Sequence, residues 1–205
     1  MLSEKLIYWI GGSACAGKST LAQAYADKYE LKLYCCDDYF PKHLKKISEK
    51  KHPAMSKVAT ISFNEAFYTR KIDEQLSLYQ QTFIEDFTFV INDLAEIPEK
   101  RIIVEGNQLL PSLVQPFLTN NHQAIWIIPT ESFQREYYQK RVWIKDVLRE
   151  TEDPEVAFDN WMKRDALFAN LVYQEAIDLN LNVLKVDGRL TIGENFKVLE
   201  NHFRC

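Results

Sequence analysis

The chain has 205 residues, 46% of them hydrophobic and 26% charged, with a formal net charge of −4. That length suits one domain with room for an insertion, and the apolar content is enough for a real core. The acidic balance argues against a surface that embraces nucleic acid as a whole, while leaving a local basic patch possible.

The first segment, MLSEKLIYWIGG, holds an apolar run of five residues, too short for a secretory signal or a membrane span, and no later stretch approaches membrane length. Cys15, Cys35, Cys36 and Cys205 have neither the paired spacing of a zinc site nor the density of a disulfide scaffold. Reduced thiols in a cytoplasmic protein are the expectation. There is no internal repeat and no low-complexity linker.

In chain order, KLIYWI (5–10) reads as a buried strand opening into GGSACAGKST (11–20). A helix follows from Lys18 to about Lys28, with Leu21, Ala24 and Tyr25 at helical spacing. LKLYCC (31–36) is a second strand, with Asp37 and Asp38 at its C-terminal end. Residues 41–60, rich in lysine, read as a surface loop, and 62–94 as mostly helical. RIIVEG (101–106) and AIWIIP (124–129) are apolar strands, the latter stopped by Pro129. Thr130 is placed to cap a helix running to about Arg149. Asp153-Pro154 opens another helix, to about Leu179. A last strand, LNVLKVDG, precedes a last helix, TIGENFKVLENHF.

Short apolar strands alternating with helices imply a parallel sheet covered on both faces. Ligands of such sheets bind beyond the carboxyl ends of the strands. GGSACAGKST, CCDDYF and VEGNQ all fall at such ends, and their coincidence says more than any one alone.

Gly12-x4-Gly17-Lys18-Ser19 has the P-loop spacing, after a strand and opening a helix. Small residues let backbone N–H groups wrap a phosphate, and the helix points its positive end at the same place. Lys18 supplies a cation for the β and γ oxygens, and the Ser19 hydroxyl a ligand for Mg²⁺. Gly12, Ser13, Ala14, Cys15, Ala16, Gly17, Lys18, Ser19 and Thr20 are therefore the expected triphosphate site. Cys15 is either a thiol activated by the helix end or a small residue that fits.

From these residues the chain resembles the P-loop kinases of small molecules and nucleosides, a group that includes nucleoside, nucleotide, shikimate and gluconate kinases. The likeness spans nearly the whole chain as architecture, but its specific motifs cover residues 7–20, 34–40 and 101–107, with weaker echoes at 131–165 and 185–191. It implies an α/β three-layer P-loop NTPase fold, with a parallel, mostly five-stranded sheet and a helical lid. It further implies one kinase domain over 1–205, with a substrate-side loop and helical insertion at about 41–97 and a lid at about 131–160.

The resemblance makes Asp37 the candidate base for an attacking hydroxyl, with Asp38 and Tyr39 beside the acceptor. Glu105, where an aspartate is commoner, stands at the strand end that serves magnesium or the acceptor. Among the lid cations Arg141 is the first choice for the transferred phosphoryl group and Arg135 the second. Helical spacing puts Arg141, Lys145 and Arg149 on one face. Arg164 either reaches the site or pairs with Asp165 or Asp159. Gly188 and Arg189 are placed to border the base, and ATP with Mg²⁺ is the implied donor, since no NKxD-like guanine-reading segment is present.

The acceptor side is less specific. Lys42, Lys45, Lys46, Lys50 and Lys51 form either an anion-steering or a merely solvated loop. Tyr39, Phe40, Phe63, Phe67 and Tyr68 are either a ring-binding floor or core. The implied activity is ATP-dependent phosphoryl transfer to a hydroxyl of a small metabolite or nucleoside. The alternatives are a polynucleotide 5′-hydroxyl kinase and a nucleotide-binding module without transferase activity.

Overall fold

The structure, a computed structural model, describes residues 2–203, so Cys205 lies outside the described residues. Five strands, β1 (Leu6–Gly12), β2 (Lys32–Cys35), β3 (Arg101–Glu105), β4 (Ala124–Pro129) and β5 (Val183–Val186), form one parallel sheet in the order β2-β3-β1-β4-β5. Its helices are α1 (Lys18–Tyr29), α2 (Cys36–His43), α3 (Pro53–Thr60), α4 (Ile72–Glu96), the short α5 (Pro111–Val114), α6 (Glu131–Gln139), α7 (Val142–Arg149), α8 (Pro154–Asp178) and α9 (Ile192–Phe203).

The alternation of a pleated strand divides the core between two faces. Trp9, Ile102, Val104, Trp126 and Ile128 face one side, under apolar residues of α4 and α8 such as Phe83, Val90, Phe168 and Val172. Ile10, Ile103, Ile125 and Ile127 face the other, under Leu21, Tyr25, Leu199 and Phe203 of α1 and α9. This is the three-layer α/β arrangement that the strand–helix alternation implies. It brings the carboxyl ends of β1, β2 and β3 together, with β1 between β3 and β4.

Two expectations about local structure are corrected. Residues 41–60 are not one loop: α2 runs to His43 through Pro41, and α3 spans 53–60. The acidic pair Asp37-Asp38 lies in the first turn of α2, where the helix dipole favours negative charge. Pro53 is tolerated in the first turn of α3, whose free N–H groups at Ala54 and Met55 donate to the Glu85 carboxylate of α4 at 3.0 and 2.9 Å. A cap supplied from so far along the chain leaves no local signature. The stretch 62–94 is mostly helical as expected, with a π turn at 65–69 and a short break before α4 starts at Ile72.

The helix expected from Thr130 to Arg149 breaks at Lys140 and Arg141, where Arg141 takes an extended conformation and becomes the N-cap of α7. The shared face of Arg141, Lys145 and Arg149 is lost with it. The break lets Tyr138 and Ile144 both pack into a small core with Cys15, Trp161 and Met162. The expected caps hold: the Thr130 hydroxyl accepts from Phe133 N, and Asp153 accepts from the N–H groups of Glu155 and Val156 ahead of Pro154.

Candidate active site

The loop after β1 is shaped by close approach. Gly12 has φ 129°, and a Cβ there would lie 2.0 Å from the Ile127 carbonyl oxygen, so any side chain would push β1 off β4. Ser13 is buried beneath the loop. Gln134 of α6 donates to Ser13 Oγ at 3.0 Å and to the Ala14 carbonyl at 2.9 Å, a brace that no local motif signals. Ala14 to Thr20 then line a cavity of about 190 Å³ together with Asp37, Glu105, Gly106, Asn107 and Arg141.

Within that cavity Lys18 Nζ donates to the Ser13 carbonyl and to Asn107 Oδ1, both at 2.8 Å. Lys18 is buried, and burial lowers its pKa against the opposing pull of Glu105 and Asp37. Ser19 Oγ donates to Glu105 Oε1 at 3.0 Å. Burial raises the Glu105 pKa, with Lys18 and Ser19 acting the other way. A buried carboxylate beside a hydroxyl is a hard oxygen pair suited to Mg²⁺ that also keeps phosphate and water ligands. Burial pushes the Cys15 thiol up in pKa despite Arg141 and Lys18, so the buried Cys15 fits as a small residue rather than an activated thiol.

Asp37 stands on the wall between this cavity and a larger one of about 400 Å³. It accepts a long hydrogen bond, 3.4 Å, from Gln108 Nε2. Asp38 and Tyr39 line neither space. Tyr39 stacks on Tyr34 at 4.1 Å with Lys42 over its ring, and Asp38 points to solvent. Phe40, Phe63 and Phe67 do line the larger cavity, whereas Tyr68 and the lysines of 42–51 do not.

Arg141 lines both cavities and a third of about 380 Å³ beside the loop after β5. Its guanidinium lies 5.3 Å from the Tyr138 ring centroid and 6.0 Å from that of Trp143. Arg135 lines none of the three; its guanidinium pairs with Asp159 at 2.7 Å on the surface. Arg164 is buried in the wall of the larger cavity, paired with Asp165 at 2.6 Å and 4.1 Å from the Tyr79 centroid. Gly188 lines the third cavity with Phe133, Tyr137 and Asn195, while Arg189 points to solvent and pairs with Asp187.

Sequence reasoning passes over Asn107, Gln108, Tyr79, Gln134 and Asn195. Asn107 and Gln108 follow the strand-end acid directly, and that position was the available signal. The others arrive from distant helices.

The ends of β2 and β3 are also tightly packed. A Cβ on Gly106 would sit 2.6 Å from Cys36 Cβ and 2.7 Å from Gln108 Oε1. The glycine lets α2, which carries Asp37, start against the strand that ends in Glu105.

No protein-family model and no curated relative matches the sequence. Among solved structures, the deoxyadenosine kinase of M. mycoides with bound dATP is 11% identical at a TM-score of 0.52, over 97% of this chain and 100% of that one. The same enzyme with dCMP and dCDP bound gives 12% and 0.52, over 97% and 98%. A shikimate kinase from Acinetobacter baumannii in complex with shikimate is 15% identical at 0.44, over 95% and 90%. The fold is that of the P-loop kinases. At these identities the likeness speaks for the architecture, and the chemistry has to be argued from the site. Among the described residues no helix is long and apolar enough to cross a membrane.

Proposed function

We propose that this chain is an ATP- and Mg²⁺-dependent phosphotransferase acting on a hydroxyl group of a small molecule. The observation that carries the reading is the place of Asp37, which borders the phosphate-sized cavity on one side and a larger, adjoining cavity on the other. A binding module has no need of a carboxylate at that boundary.

In this reading Ala14 to Thr20 wrap the triphosphate, and Lys18 exchanges its Ser13 and Asn107 partners for β and γ oxygens. Ser19 and Glu105 would hold Mg²⁺, which supplies charge neutralisation for the phosphoryl oxygens when bound. An acceptor hydroxyl in the larger cavity gives its proton to Asp37 as its oxygen forms the new bond to the γ phosphorus. The bond from that phosphorus to the bridging oxygen breaks, and ADP leaves. Arg141 stands where it can reach the transferring group without rearrangement, whereas Arg135 must first leave Asp159.

Residues of about 131–160 act as the lid and about 41–97 as the acceptor-side insertion of a single domain. Gly188 and the Phe133–Tyr137 stack, with centroids 4.3 Å apart, border the adenine; Arg189 swings in from solvent to join them. Asp38 and Tyr39 support the acceptor side through α2 rather than by contact.

A coupled ADP-release assay with Mg·ATP across nucleosides, sugar acids, amino alcohols and a 5′-hydroxyl oligonucleotide tests the reading. Turnover on a small acceptor that disappears in Asp37→Asn while ATP binding survives is the expected result. Turnover on the oligonucleotide alone points to the polynucleotide kinase, and ATP binding with no turnover on any acceptor to the binding module.

A further inference from the structure

Asp37 is exposed, and among the described residues the side chain that holds its carboxylate is Gln108, whose Nε2 donates to Asp37 Oδ1 at 3.4 Å. An exposed aspartate without a partner samples several rotamers. A base works only when its oxygen is aligned with the proton it takes. Contacts of this kind are commonly long in a ligand-free enzyme and tighten once substrate is bound.

Gln108 is a costly residue to bury. It is 1% exposed, and its Oε1 has no hydrogen-bond partner. A buried amide oxygen in that state lowers stability, a loss that an apolar residue of the same size would avoid. The local packing holds the amide in place all the same. A Cβ on Gly106 would stand 2.7 Å from Gln108 Oε1, so the glycine is what makes room for it.

A second costly group lies on the far side of the same amide. Asp86 of α4 and His43 of α2 are both 0% exposed, with His43 Nδ1 2.6 Å from Asp86 Oδ1. Asp93 holds the other ring nitrogen of His43 at 3.0 Å. The Gln108 amide and His43 both favour the charged form of Asp86, while Asp37 opposes it. The amide of Gln108 thus serves two carboxylates, Asp37 and Asp86. Buried ionic pairs seldom improve on apolar packing for stability, so their use here has to be sought in what they orient.

The chemistry of the groups says what that is. An amide turned by half a rotation exchanges its NH₂ for its carbonyl, whereas a carboxylate only accepts. An ionised Asp86, paired with His43, favours the turn that directs the NH₂ of Gln108 to the carboxylates. One of its two N–H bonds can then serve Asp86 and the other Asp37 Oδ1. Asp37 Oδ2 is left for the acceptor hydroxyl.

We infer that Gln108 is a positioning residue, turned by the buried Asp86–His43 pair so that its amide fixes one oxygen of Asp37 and leaves the other to take the proton of the acceptor hydroxyl. The inference rests on the kinase reading for what the fixed carboxylate does, and on the buried groups for how it is fixed.

Gln108→Met keeps the volume and removes the donor. Asp86→Asn keeps the shape and offers a donor where Gln108 now meets a carboxylate, which favours the turned amide. ADP release from Mg·ATP is measured on the full chain with whichever of uridine, gluconate and ethanolamine the wild type turns over fastest. Each variant is expected to lower kcat at least about 10-fold, with KM for ATP changed by less than about threefold. In an Asp37→Asn background Gln108→Met is expected to lower kcat by no more than about twofold further, because its effect passes through Asp37. A merely structural role would lower both backgrounds alike. Thermal melting shows whether Gln108→Met is folded; if it is not, Asp86→Asn carries the same comparison in both backgrounds.

The contact is also read without turnover, by NMR of the Gln108 side-chain amide, assigned as the pair of proton signals lost in Gln108→Met. These signals are expected to shift both in Asp37→Asn and in Asp86→Asn. Full kcat in either folded variant, equal losses in the two backgrounds, or amide signals that move in neither Asp37→Asn nor Asp86→Asn would each overturn the inference. A wild type that turns over none of the three acceptors counts against the kinase reading instead, and the amide signals still decide whether Gln108 holds Asp37.

Discussion

Lys18 donates from its ammonium to the Asn107 amide oxygen at 2.8 Å, and Asn107 in turn donates to the Tyr79 hydroxyl at 3.0 Å. One amide thus joins the cation of the phosphate cavity to a wall of the acceptor cavity. The ammonium is held in a buried place that lowers its pKa. A lysine with a lowered folded pKa costs stability below its unfolded pKa of about 10.4, and the cost fades as pH rises toward that value. Lys18→Met removes this cost together with two hydrogen bonds. Its Tm is therefore expected within about 4 °C of wild type near neutral pH, shifting in favour of wild type as pH approaches 10. ATP affinity is expected to fall about 100-fold or more. Calorimetric titration beside a melting series reads both, and a collapse of Tm would assign Lys18 a structural role instead.

Asp37→Asn keeps the shape of the side chain and removes its capacity to take a proton. If Asp37 is the base, kcat falls by about 10²–10⁴ while ATP binding changes by less than about threefold. A variant with full kcat would transfer the role to another group at the boundary. Glu105, beside Ser19, is the next carboxylate to test.

How far the sequence reaches is set by the range of the physical signal. The strands and the P-loop are written in contiguous residues: apolar runs such as RIIVE, and a glycine spacing that only a phosphate nest requires. The fold and the positions of Lys18, Ser19, Asp37 and Glu105 were legible for that reason. Helix α2 was not, because Pro41 and the following lysines look like a loop, and the helix is held by burial of Cys36 and of His43 against α4. Nor was the break at Arg141, which no proline or glycine marks and which packing of Tyr138 and Ile144 decides. Arg135 ranked second to Arg141 along the chain, and the fold leaves it on the surface with Asp159.

Gly106 is expected to be as intolerant as any P-loop residue. A methyl group there would stand 2.6 Å from Cys36 Cβ and 2.7 Å from Cys36 Sγ. Relief requires α2 to move away from β3, which separates Asp37 from Glu105. Gly106→Ala should cost about 1–3 kcal/mol in urea unfolding, in the range of other overpacked sites, and lower kcat as well. Unchanged stability would show that the start of α2 gives way easily.

Asp165 accepts from Tyr138 at 2.6 Å and pairs with Arg164, and both of these partners line the acceptor cavity. Removing one partner of a buried pair leaves an uncompensated charge, so Asp165→Leu is expected to cost about 3–5 kcal/mol. Adding Arg164→Met removes that charge and should restore part of the loss, a non-additivity that a double-mutant cycle measures. If the two losses simply add, Arg164 is held by its rings, with Tyr79 at 4.1 Å, rather than by Asp165.

His43 sets the pH dependence of the helix that carries Asp37. Its Nδ1 lies 2.6 Å from Asp86 Oδ1 and its Nε2 3.0 Å from Asp93 Oδ2, both carboxylates from α4. Tyr34 donates to Asp93, Lys46 approaches it at 4.0 Å, and Phe89 stacks on the imidazole. Burial alone would lower the His43 pKa, but the two aspartates outweigh it and the net shift is upward. Burial also raises Asp86, against the pull of His43. Both groups hold protons more tightly folded than unfolded, so stability must fall as pH rises. For His43 the stabilisation is complete below its unfolded pKa of about 6.5 and is lost as pH climbs through the raised folded value. Wild-type Tm should therefore drop above pH 6.5, by about 2–4 °C for each kcal/mol lost. His43→Gln should melt lower than wild type at pH 6 and show a flatter profile above it. A variant that keeps the full slope would place the titrating group elsewhere and leave α2 clamped by hydrogen bonding alone.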